Sequence, residues 1–381
     1  MQRYLDHNAT CPQVQASLEA VARVAKEASG NPSSLHWAGR AARRMIDDAR
    51  DRLASFLGAE AGSVVFTSGC TEADNIAINS VLSSSQPGRV ITTAIEHPAV
   101  LQPLDRYSSD QAKAEGWDVI NIRPGSDGLV TAQDMIDVIT ADTRLVCMML
   151  VNNESGVIQP VQQVADYCRS LGVPMLVDAA QALGKIPVDF QQLNVDFMGL
   201  SAHKIGGPKG VGALLVRRGV RLQELTPGGS QERGRRSGTE NVPGIAGFAA
   251  ALGEIDFTML APIRGSFEEQ LKAAMPDVNI ISENIERVAN TSLVILPGMD
   301  GETLLMQLDL AGFAIASGSA CSSGKSEPSH VLMAMGLSAN KARSSIRVSF
   351  GPENTLDDAK ALVDALVTVR KRLRSMAGIA A

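Results

Sequence analysis

The sequence lacks the features that identify several protein classes. Acidic residues outnumber basic ones by 41 to 35, which gives a formal net charge of −6, whereas nucleic-acid binders depend on clustered Lys and Arg to neutralise phosphates. The longest uncharged stretch, residues 310–324, is interrupted by Gly and Ser and is shorter than the ~20 apolar residues that a membrane-spanning helix needs. We therefore predict that the protein binds no nucleic acid and crosses no membrane.

Cysteines are few, and their spacing is not that of a disulfide framework. They are Cys11, Cys70, Cys147, Cys168 and Cys321. An odd set without a C-x-x-C pair indicates neither disulfides nor a zinc knuckle. His and carboxylate residues are not clustered as metal ligands would be, so we expect no catalytic metal. Arg3 and Asp6 interrupt any secretory hydrophobic run near the N-terminus, and we expect an intracellular, cytoplasmic protein.

Apolar residues are abundant and their order predicts the fold. At 381 residues and 45% hydrophobic content, the chain exceeds the size at which one core stops growing. Between residues 42 and 57, apolar residues recur every three or four positions, as in a helix packed on a core. Short apolar runs then alternate with helical stretches, which is typical of an α/β domain with a mostly parallel sheet buried on both faces. The runs are residues 64–66, 90–91, 145–151, 175–177, 197–200 and 211–216.

The pattern changes after about residue 250. Two long helical segments there surround two strand candidates, residues 292–296 and 346–350. We predict a large domain of residues 15–250 and a smaller α+β domain made of residues 1–14 and 251–381. Parallel sheets bind ligands beyond the carboxyl ends of their strands, so functional residues should follow the strands.

The first strand end carries a candidate phosphate site. Residues 67–72, TSGCTE, follow the strand at 64–66 and open an apolar-periodic segment. Small and hydroxyl residues at a helix start leave backbone N–H groups free to bind an anion. An ordinary helix start, capped by Ser or Thr with Glu72 in its first turn, explains this segment equally well.

Two later strand ends carry groups suited to a pyridine cofactor. Asp178 and Gln181 follow the strand at 175–177; a carboxylate there can pair with a protonated ring nitrogen, although taken alone a helix cap is the better interpretation. Lys204 follows the strand at 197–200, where partial desolvation favours a nucleophilic amine, although a solvated lysine in a Gly-rich turn stays an alternative. The three segments together predict pyridoxal 5'-phosphate held as a Schiff base on Lys204.

The sequence resembles the cysteine desulfurases of the NifS/IscS-like class, which are pyridoxal-phosphate enzymes of fold type I, similar to class-V aminotransferases. The matching motifs run in one order through nearly the whole chain. They are LDHNAT at 5–10, NPSS at 31–34, EHPAV at 96–100, VNNE at 151–154, DAAQ at 178–181, SAHK at 201–204, QERGRRSGT at 231–239, GSAC at 318–321 and SSIR at 344–347. The resemblance implies a large domain with a mostly parallel sheet and a small domain that carries the catalytic Cys.

The resemblance implies roles around the cofactor ring. His97 would stack on the pyridine ring and take part in proton transfer, Asp178 would pair with the ring nitrogen, and Gln181 would contact the ring hydroxyl. Asn153 and Arg347 would bind the substrate carboxylate, with Asn153 also beside the cofactor. Guanidinium geometry suits a bidentate contact of that kind.

The phosphate site is implied in the same way. Thr71 at the helix start, together with Ser201 and His203, would hold the phosphate, and Cys70 would lie beside the cofactor. Thr239 would reach it from the other subunit of a homodimer, so that each active site is shared between two subunits.

Cys321 distinguishes a desulfurase from other enzymes that share the lysine and the acid. It stands in a Gly/Ser-rich stretch, SGSACSSG at 317–324, which predicts a loop, and a cysteine there can react as a thiolate. We expect Lys204 to remove the α-proton of L-cysteine and Cys321 to take the sulfur as a persulfide, with L-alanine as the product. The following residues resemble the class that passes sulfur to an acceptor or iron–sulfur scaffold protein.

Other interpretations stay open. Another fold type I enzyme, such as an aminotransferase or selenocysteine lyase, would share the cofactor residues without depending on Cys321. A non-catalytic sulfur-handling scaffold would not need Asp178, Lys204 and Cys321 together. For Cys11, where the family commonly has Thr, and for Cys70, packing is favoured over chemistry.

The remaining candidates have structural interpretations. Cys147 and Cys168 continue apolar patterns and are expected in the core. His330 follows a plausible helix start and is expected to be structural, and for His36 a structural role is as well supported as one near the active site.

Overall fold

The computed structural model describes residues 2–317 and 327–376, apart from the side chains of residues 374 and 376. Its strands are β1 Arg3–Tyr4, β2 Val64–Thr67, β3 Arg89–Thr93, β4 Asp118–Ile122, β5 Thr143–Cys147, β6 Met175–Asp178, β7 Phe197–Ser201, β8 Gly212–Val216, β9 Asn279–Ile280, β10 Thr291–Ile295, β11 Phe313–Ala314, β12 Ala316–Ser317 and β13 Ser345–Ser349. Its helices are α1 Gln15–Glu27, α2 Trp37–Phe56, α3 Cys70–Leu82, α4 Pro98–Asp105, α5 Asp110–Ala114, α6 Ala132–Ile136, α7 Val161–Leu171, α8 Phe190–Leu193, α9 Gln231–Gly234, α10 Val242–Ala251, α11 Ala261–Ala274, α12 Gly301–Leu310, α13 His330–Ala334, α14 Ala339–Arg343 and α15 Leu356–Met376.

A seven-stranded sheet forms the centre of the chain, in the order β2-β8-β7-β6-β5-β3-β4. In this sheet β8 runs antiparallel to β2 and β7, and the other pairs are parallel. The predicted α/β fold with a mostly parallel sheet is confirmed. Each of the six predicted runs contributes a strand, although β5 ends at Cys147, so the run 145–151 is only partly strand.

The sheet is covered on both faces. Val64 and Phe66 belong to one hydrophobic cluster and the intervening Val65 to another, because successive side chains of a strand point to opposite faces. Strand β4 was not predicted. It lies at the edge of the sheet and its side chains are exposed or half-buried, so its sequence has no continuous apolar run.

A separate antiparallel sheet, in the order β12-β13-β10-β9, is built mainly from later residues, while β1 pairs in parallel with β11. The core beside it contains Phe267, Leu304 and Leu362, from α11, α12 and α15, and also Leu5 and Cys11 from the start of the chain. Among the described residues after 260, three helices have ten or more residues, one more than the two long helical segments predicted.

Across residues 2–317 and 327–376, helices long and apolar enough to cross a membrane are absent.

Candidate active site

A cavity of about 550 Å³ lies beyond the carboxyl ends of the central strands. Its walls come from the residues that follow β2, β3, β5, β6 and β7, together with Asn8 to Thr10 and β13, as expected for a parallel sheet. The predicted site residues that line it are Cys70, Thr71, His97, Asn153, Asp178, Gln181, Ser201, His203, Lys204 and Arg347. Thr239 does not line the cavity of its own chain and is exposed. Cys321 lies outside the described residues.

Lys204 lies in a short 3-10 helix, Ala202–Ile205, directly after β7. Its ammonium donates to the backbone carbonyls of Asn8, at 2.7 Å, and Ala9, at 3.0 Å. The contribution of residues 8–10 to the cavity was not predicted. The motif LDHNAT is among the matching motifs, but the sequence does not show that the backbone carbonyls of Asn8 and Ala9 contact Lys204.

Asp178 ends β6 and belongs to a buried polar cluster. Cys70 Sγ lies 3.4 Å from Asp178 Oδ1 and 3.6 Å from Asp74 Oδ2, so the thiol lies between two carboxyl groups. Burial, with the nearby Asp178, raises the pKa of both Cys70 and Asp74 well above their usual ranges. Cys70 therefore keeps its proton at neutral pH, and burial favours the protonated form of Asp74. Asp74 had not been singled out, although it lies one helical turn after Cys70.

His97 is the N-cap of α4, and its Nδ1 accepts a hydrogen bond from the Ala99 amide at 3.1 Å. Burial lowers the pKa of His97, and the positive charge of Lys204 adds to this effect, while Asp178 opposes it. The ring is therefore neutral at pH 7 with Nδ1 as an acceptor. A neutral imidazole can lie against an aromatic ring and can take up a proton.

The groups predicted to bind phosphate surround the start of α3. Helix α3 begins at Cys70, so the first backbone amides at this end have no partner within the helix. His203 Nδ1 lies 3.2 Å from Thr10 Oγ1. Burial, then Lys204 and Lys209, lower the pKa of His203 to about 4, so His203 can contribute a neutral N–H donor rather than a charge.

Arg347 lies in β13 and connects three parts of the chain. Its Nη1 donates to the Asn153 carbonyl at 3.1 Å and its Nη2 to Asp6 Oδ1 at 2.7 Å. Arg347 Nε and Asn153 Oδ1 are buried, and neither has a hydrogen-bond partner among the residues that the structure describes. Unpaired buried polar atoms are costly, so this corner of the cavity is suited to a polar ligand.

The other described cysteines and histidines do not line the cavity. Cys147 and Cys168 are buried in the core, as predicted, and so is Cys11. His36 is the N-cap of α2 and accepts from the Gly39 amide. His330 begins α13, and its Nε2 donates to the Glu96 carbonyl at 2.9 Å.

Similarity to known proteins extends over nearly the whole chain. A family model described as aminotransferase class-V matches residues 3–362. The chain is 38% identical to a cysteine desulfurase of Nostoc sp., over 98% of this chain and 94% of the relative. It is also 38% identical to the putative cysteine desulfurase IscS 1 of Bacillus subtilis, over 97% and 99%. The chain belongs to the cysteine desulfurase family.

Solved structures place the cysteine desulfurase family on the same fold. A NifS-like protein from Rickettsia africae superimposes with a TM-score of 0.86 at 31% identity, over 97% of this chain and 100% of that one. A second NifS-like protein gives a TM-score of 0.88 at 33% identity, over 98% and 100%. The predicted fold type I architecture is confirmed.

Cysteine desulfurases use pyridoxal 5'-phosphate, and the cavity residues fit it. The donors of the α3 start suit a phosphate, Asp178 suits a protonated ring nitrogen, and Lys204 suits an aldehyde. The unpaired Nε of Arg347 suits the carboxylate of an amino acid.

Proposed function

We propose that this protein is a cysteine desulfurase, which converts L-cysteine to L-alanine and transfers the sulfur to Cys321 as a persulfide. The observation that carries the proposal is the meeting of Lys204, Asp178 and Arg347 around one cavity. Lys204 follows β7, Asp178 ends β6, and Arg347 comes from the distant strand β13. The chain's relatives named as desulfurases support the same activity.

Cavity residues would hold the cofactor before any reaction begins. Lys204 would attach it through its aldehyde, Asp178 would pair with the ring nitrogen, and Gln181 would contact the ring hydroxyl. Ser201 and His203, with the backbone at the start of α3, would hold the phosphate. Bound pyridoxal phosphate supplies an electron sink that makes the α-proton of the substrate acidic.

The substrate would be oriented by its carboxylate. Arg347 is held by Asp6 and the Asn153 carbonyl, so its guanidinium cannot rotate freely, and its buried Nε has no partner among the described residues. The Asn153 side chain, whose Oδ1 is buried without a partner among the described atoms, lies beside it. This geometry would direct the α-carbon toward Lys204.

Proton and sulfur transfer would then follow. The Lys204 amine would take the α-proton, and the neutral His97 would serve as a second proton acceptor or donor beside the ring. The Cys321 thiolate would attack the substrate sulfur. An S–S bond would form as the Cβ–S bond breaks, and the β-carbon would keep the electron pair and take up a proton. Return of the α-proton from Lys204 would then give alanine.

Mass spectrometry after incubation with L-cysteine tests the function. We expect one added sulfur atom on the peptide that contains Cys321 and an equal amount of alanine. Cys321→Ala should bind the cofactor normally and lose the added sulfur, whereas the buried Cys168→Ala should retain both. Full alanine production by Cys321→Ala would instead support another fold type I enzyme. Lack of cofactor absorbance in the wild type would indicate a non-catalytic scaffold.

We also propose that the active unit is a homodimer. Thr239 is exposed and lies outside the cavity of its own chain, which supports a role in a partner's phosphate site. Leu35 and Trp37 are 90% and 74% exposed, and exposed large apolar residues are typical of interfaces.

The persulfide would be delivered to an acceptor or scaffold protein for iron–sulfur assembly or a related sulfur transfer. The small domain that carries Cys321 would consist of residues 1–14 and 251–381, and residues 15–250 would form the large cofactor-binding domain. The packing of Leu5 and Cys11 against α11 and α15 supports this division.

A further inference from the structure

Lys185 is a fully buried lysine just behind the cavity wall. It is 2% exposed and does not line the cavity. Its Nζ donates to Asn8 Oδ1 at 2.6 Å and to Gln181 Oε1, and it lies 5.6 Å from the centre of the Phe257 ring. Burial, then the charges of Lys204 and Arg347, lower the pKa of Lys185 well below its usual range.

The amine determines how the Gln181 amide is turned. An amide has one oxygen that accepts and one nitrogen that donates. Because Lys185 donates to Oε1, the nitrogen of Gln181 must face the other way, and Nε2 donates to the Asn8 carbonyl at 2.8 Å. The Gln181 side chain also lines the cavity. With Oε1 bound to Lys185 and one NH2 hydrogen bound to Asn8, the second NH2 hydrogen is the group of this amide that is left for a ligand.

The same amine also holds Asn8, which is a junction of the site. The Asn8 carbonyl accepts from both Lys204 and Gln181. The Asn8 side chain accepts from Lys185 through Oδ1 and donates from Nδ2 to Thr291 Oγ1 at 2.9 Å. Loss of the Lys185 donor would leave Asn8 Oδ1 with the longer contact to Asn290 Nδ2, at 3.3 Å.

Burial of this lysine is not explained by packing alone. Moving an amine out of water is expensive, and the two hydrogen bonds above join Lys185 to neutral amide oxygens rather than to a carboxylate. A methionine of similar length would fill the same space beside Phe257 without the desolvation cost. What methionine could not do is donate to Gln181 and Asn8 at once.

We propose that Lys185 is a positioning residue that fixes Gln181 with its NH2 group toward the cofactor ring and, through Asn8, places Lys204. This inference rests on the proposed function, which places the ring hydroxyl against Gln181. With the NH2 group fixed in this way, Gln181 donates to the ring oxygen and stabilises its ionised form. A freely turning amide would present its oxygen part of the time and repel it.

A double-mutant cycle between Lys185 and Gln181 tests the proposal. We expect Lys185→Met to weaken binding of pyridoxal phosphate about tenfold, which is the effect of one hydrogen bond of ~1.4 kcal/mol, and to change the absorbance of the bound cofactor. In a Gln181→Ala background the same change should have a smaller effect, limited to the part that acts through Asn8, because coupled residues are not additive. Lys185→Gln keeps a donor and should recover part of the binding.

Equal effects of Lys185→Met with and without Gln181 would overturn the proposal, and so would wild-type binding and absorbance in Lys185→Met. If Lys185→Met does not fold, judged by circular dichroism, the cycle is measured with Lys185→Leu, which also lacks the donor and for which the same two outcomes apply. Cofactor binding is measured without substrate. If the cycle shows coupling between Lys185 and Gln181 but the wild type makes no alanine from cysteine, the proposed desulfurase activity is refuted and the role of Lys185 stays intact.

Discussion

At the scale of single residues, burial sets the protonation of the groups around the cavity. Burial favours the protonated forms of Cys70 and Asp74 beside Asp178, while His97 and His203 are neutral because burial lowers the pKa of each imidazole. In each of these four groups near the predicted ring partner, burial thus favours the uncharged form. Such surroundings are suited to a carboxylate whose one strong partner is a protonated pyridine.

Thiol labelling follows from the same effect. Burial raises the pKa of Cys11 and Cys168 to about 12, and that of Cys70 and Cys147 well above the usual range. The thiolate is the form that reacts with iodoacetamide. We therefore expect the reagent at pH 8 to modify Cys321 in the native protein, whereas less than about a tenth of each other thiol should be modified.

Peptide mass spectrometry measures the labelling. Cys321→Ser should leave the native protein almost unlabelled, and denaturation should expose the other four thiols. Rapid modification of Cys70 in the native state would contradict the expectation, because it would mean that the thiol ionises despite its two acidic neighbours.

Glu96 makes stability depend on pH. Burial raises the pKa of Glu96 from 4.5 to about 8, so the folded protein retains a proton that the unfolded chain releases. The free energy of unfolding should therefore fall as pH rises through this window, by up to ~1.4 kcal/mol per pH unit from this group. Glu96→Gln keeps an acceptor for Thr93 and the Met149 amide and should lessen that fall.

Urea unfolding of the cofactor-free protein between pH 5 and pH 8 checks this. Glu96→Gln should gain stability relative to wild type as the pH rises, whereas the exposed Glu115→Gln should follow the wild type. If the free energies of unfolding of Glu96→Gln and wild type changed with pH in parallel, Glu96 would not be the group that retains a proton in the folded state.

At the scale of elements, the segment before Thr239 adopts an unusual backbone. Ser230, Glu232 and Arg233 have φ values of 58°, 48° and 61°, a left-handed conformation that non-glycine residues adopt at a cost of ~1–3 kcal/mol each. A buried ion pair holds the segment, because Arg50 binds Glu232 at 2.7 Å and Glu232 also accepts from the Phe66 amide.

Glu232→Gln should therefore destabilise the protein strongly. The change leaves the charge of Arg50 buried and uncompensated, which costs ~3–5 kcal/mol, and urea unfolding measures it. The exposed pair Arg23 and Glu27 provides the control, since Glu27→Gln should change stability by less than ~1 kcal/mol. Similar losses in the two variants would mean that the buried pair does not hold this segment.

The central sheet could be predicted from sequence because its strands are buried on both faces and read as apolar runs. Edge strand β4 could not be predicted in this way, because its side chains are exposed or half-buried and its sequence has no apolar run. The cavity residues at strand ends could be predicted from chemistry and resemblance, but Asp74, Asp6 and Lys185 could not. Their roles depend on partners up to 341 residues away, such as Arg347 for Asp6, and those partners are defined only by the fold.

At the scale of the whole molecule, the proposed dimer divides each phosphate site between two chains. Exposed Thr239 would complete the partner's cavity, while Lys204 belongs to its own. Each subunit alone would then contain a site without its last phosphate contact. Separation of the subunits should weaken cofactor binding even though each subunit stays folded.

Complementation between two inactive variants tests this arrangement. Thr239→Glu would place a carboxylate against the partner's phosphate, and Lys204→Ala removes the attachment point. Each homodimer should be inactive, but co-expression should restore about a quarter of wild-type activity, because half of the dimers are mixed and each contains one intact site. No recovery in isolated mixed dimers would contradict a shared site.

The position of Asn8 has a consequence for when the enzyme can mature on the ribosome. The backbone N–H of Asn8 donates to Ser349 Oγ at 3.0 Å, and the ribosome adds Ser349 341 residues after Asn8. Until that stretch of β13 has been translated, the carbonyl that holds Lys204 has no fixed place. A nascent chain that has completed its central sheet would still lack an ordered lysine, so cofactor loading would be a post-translational event.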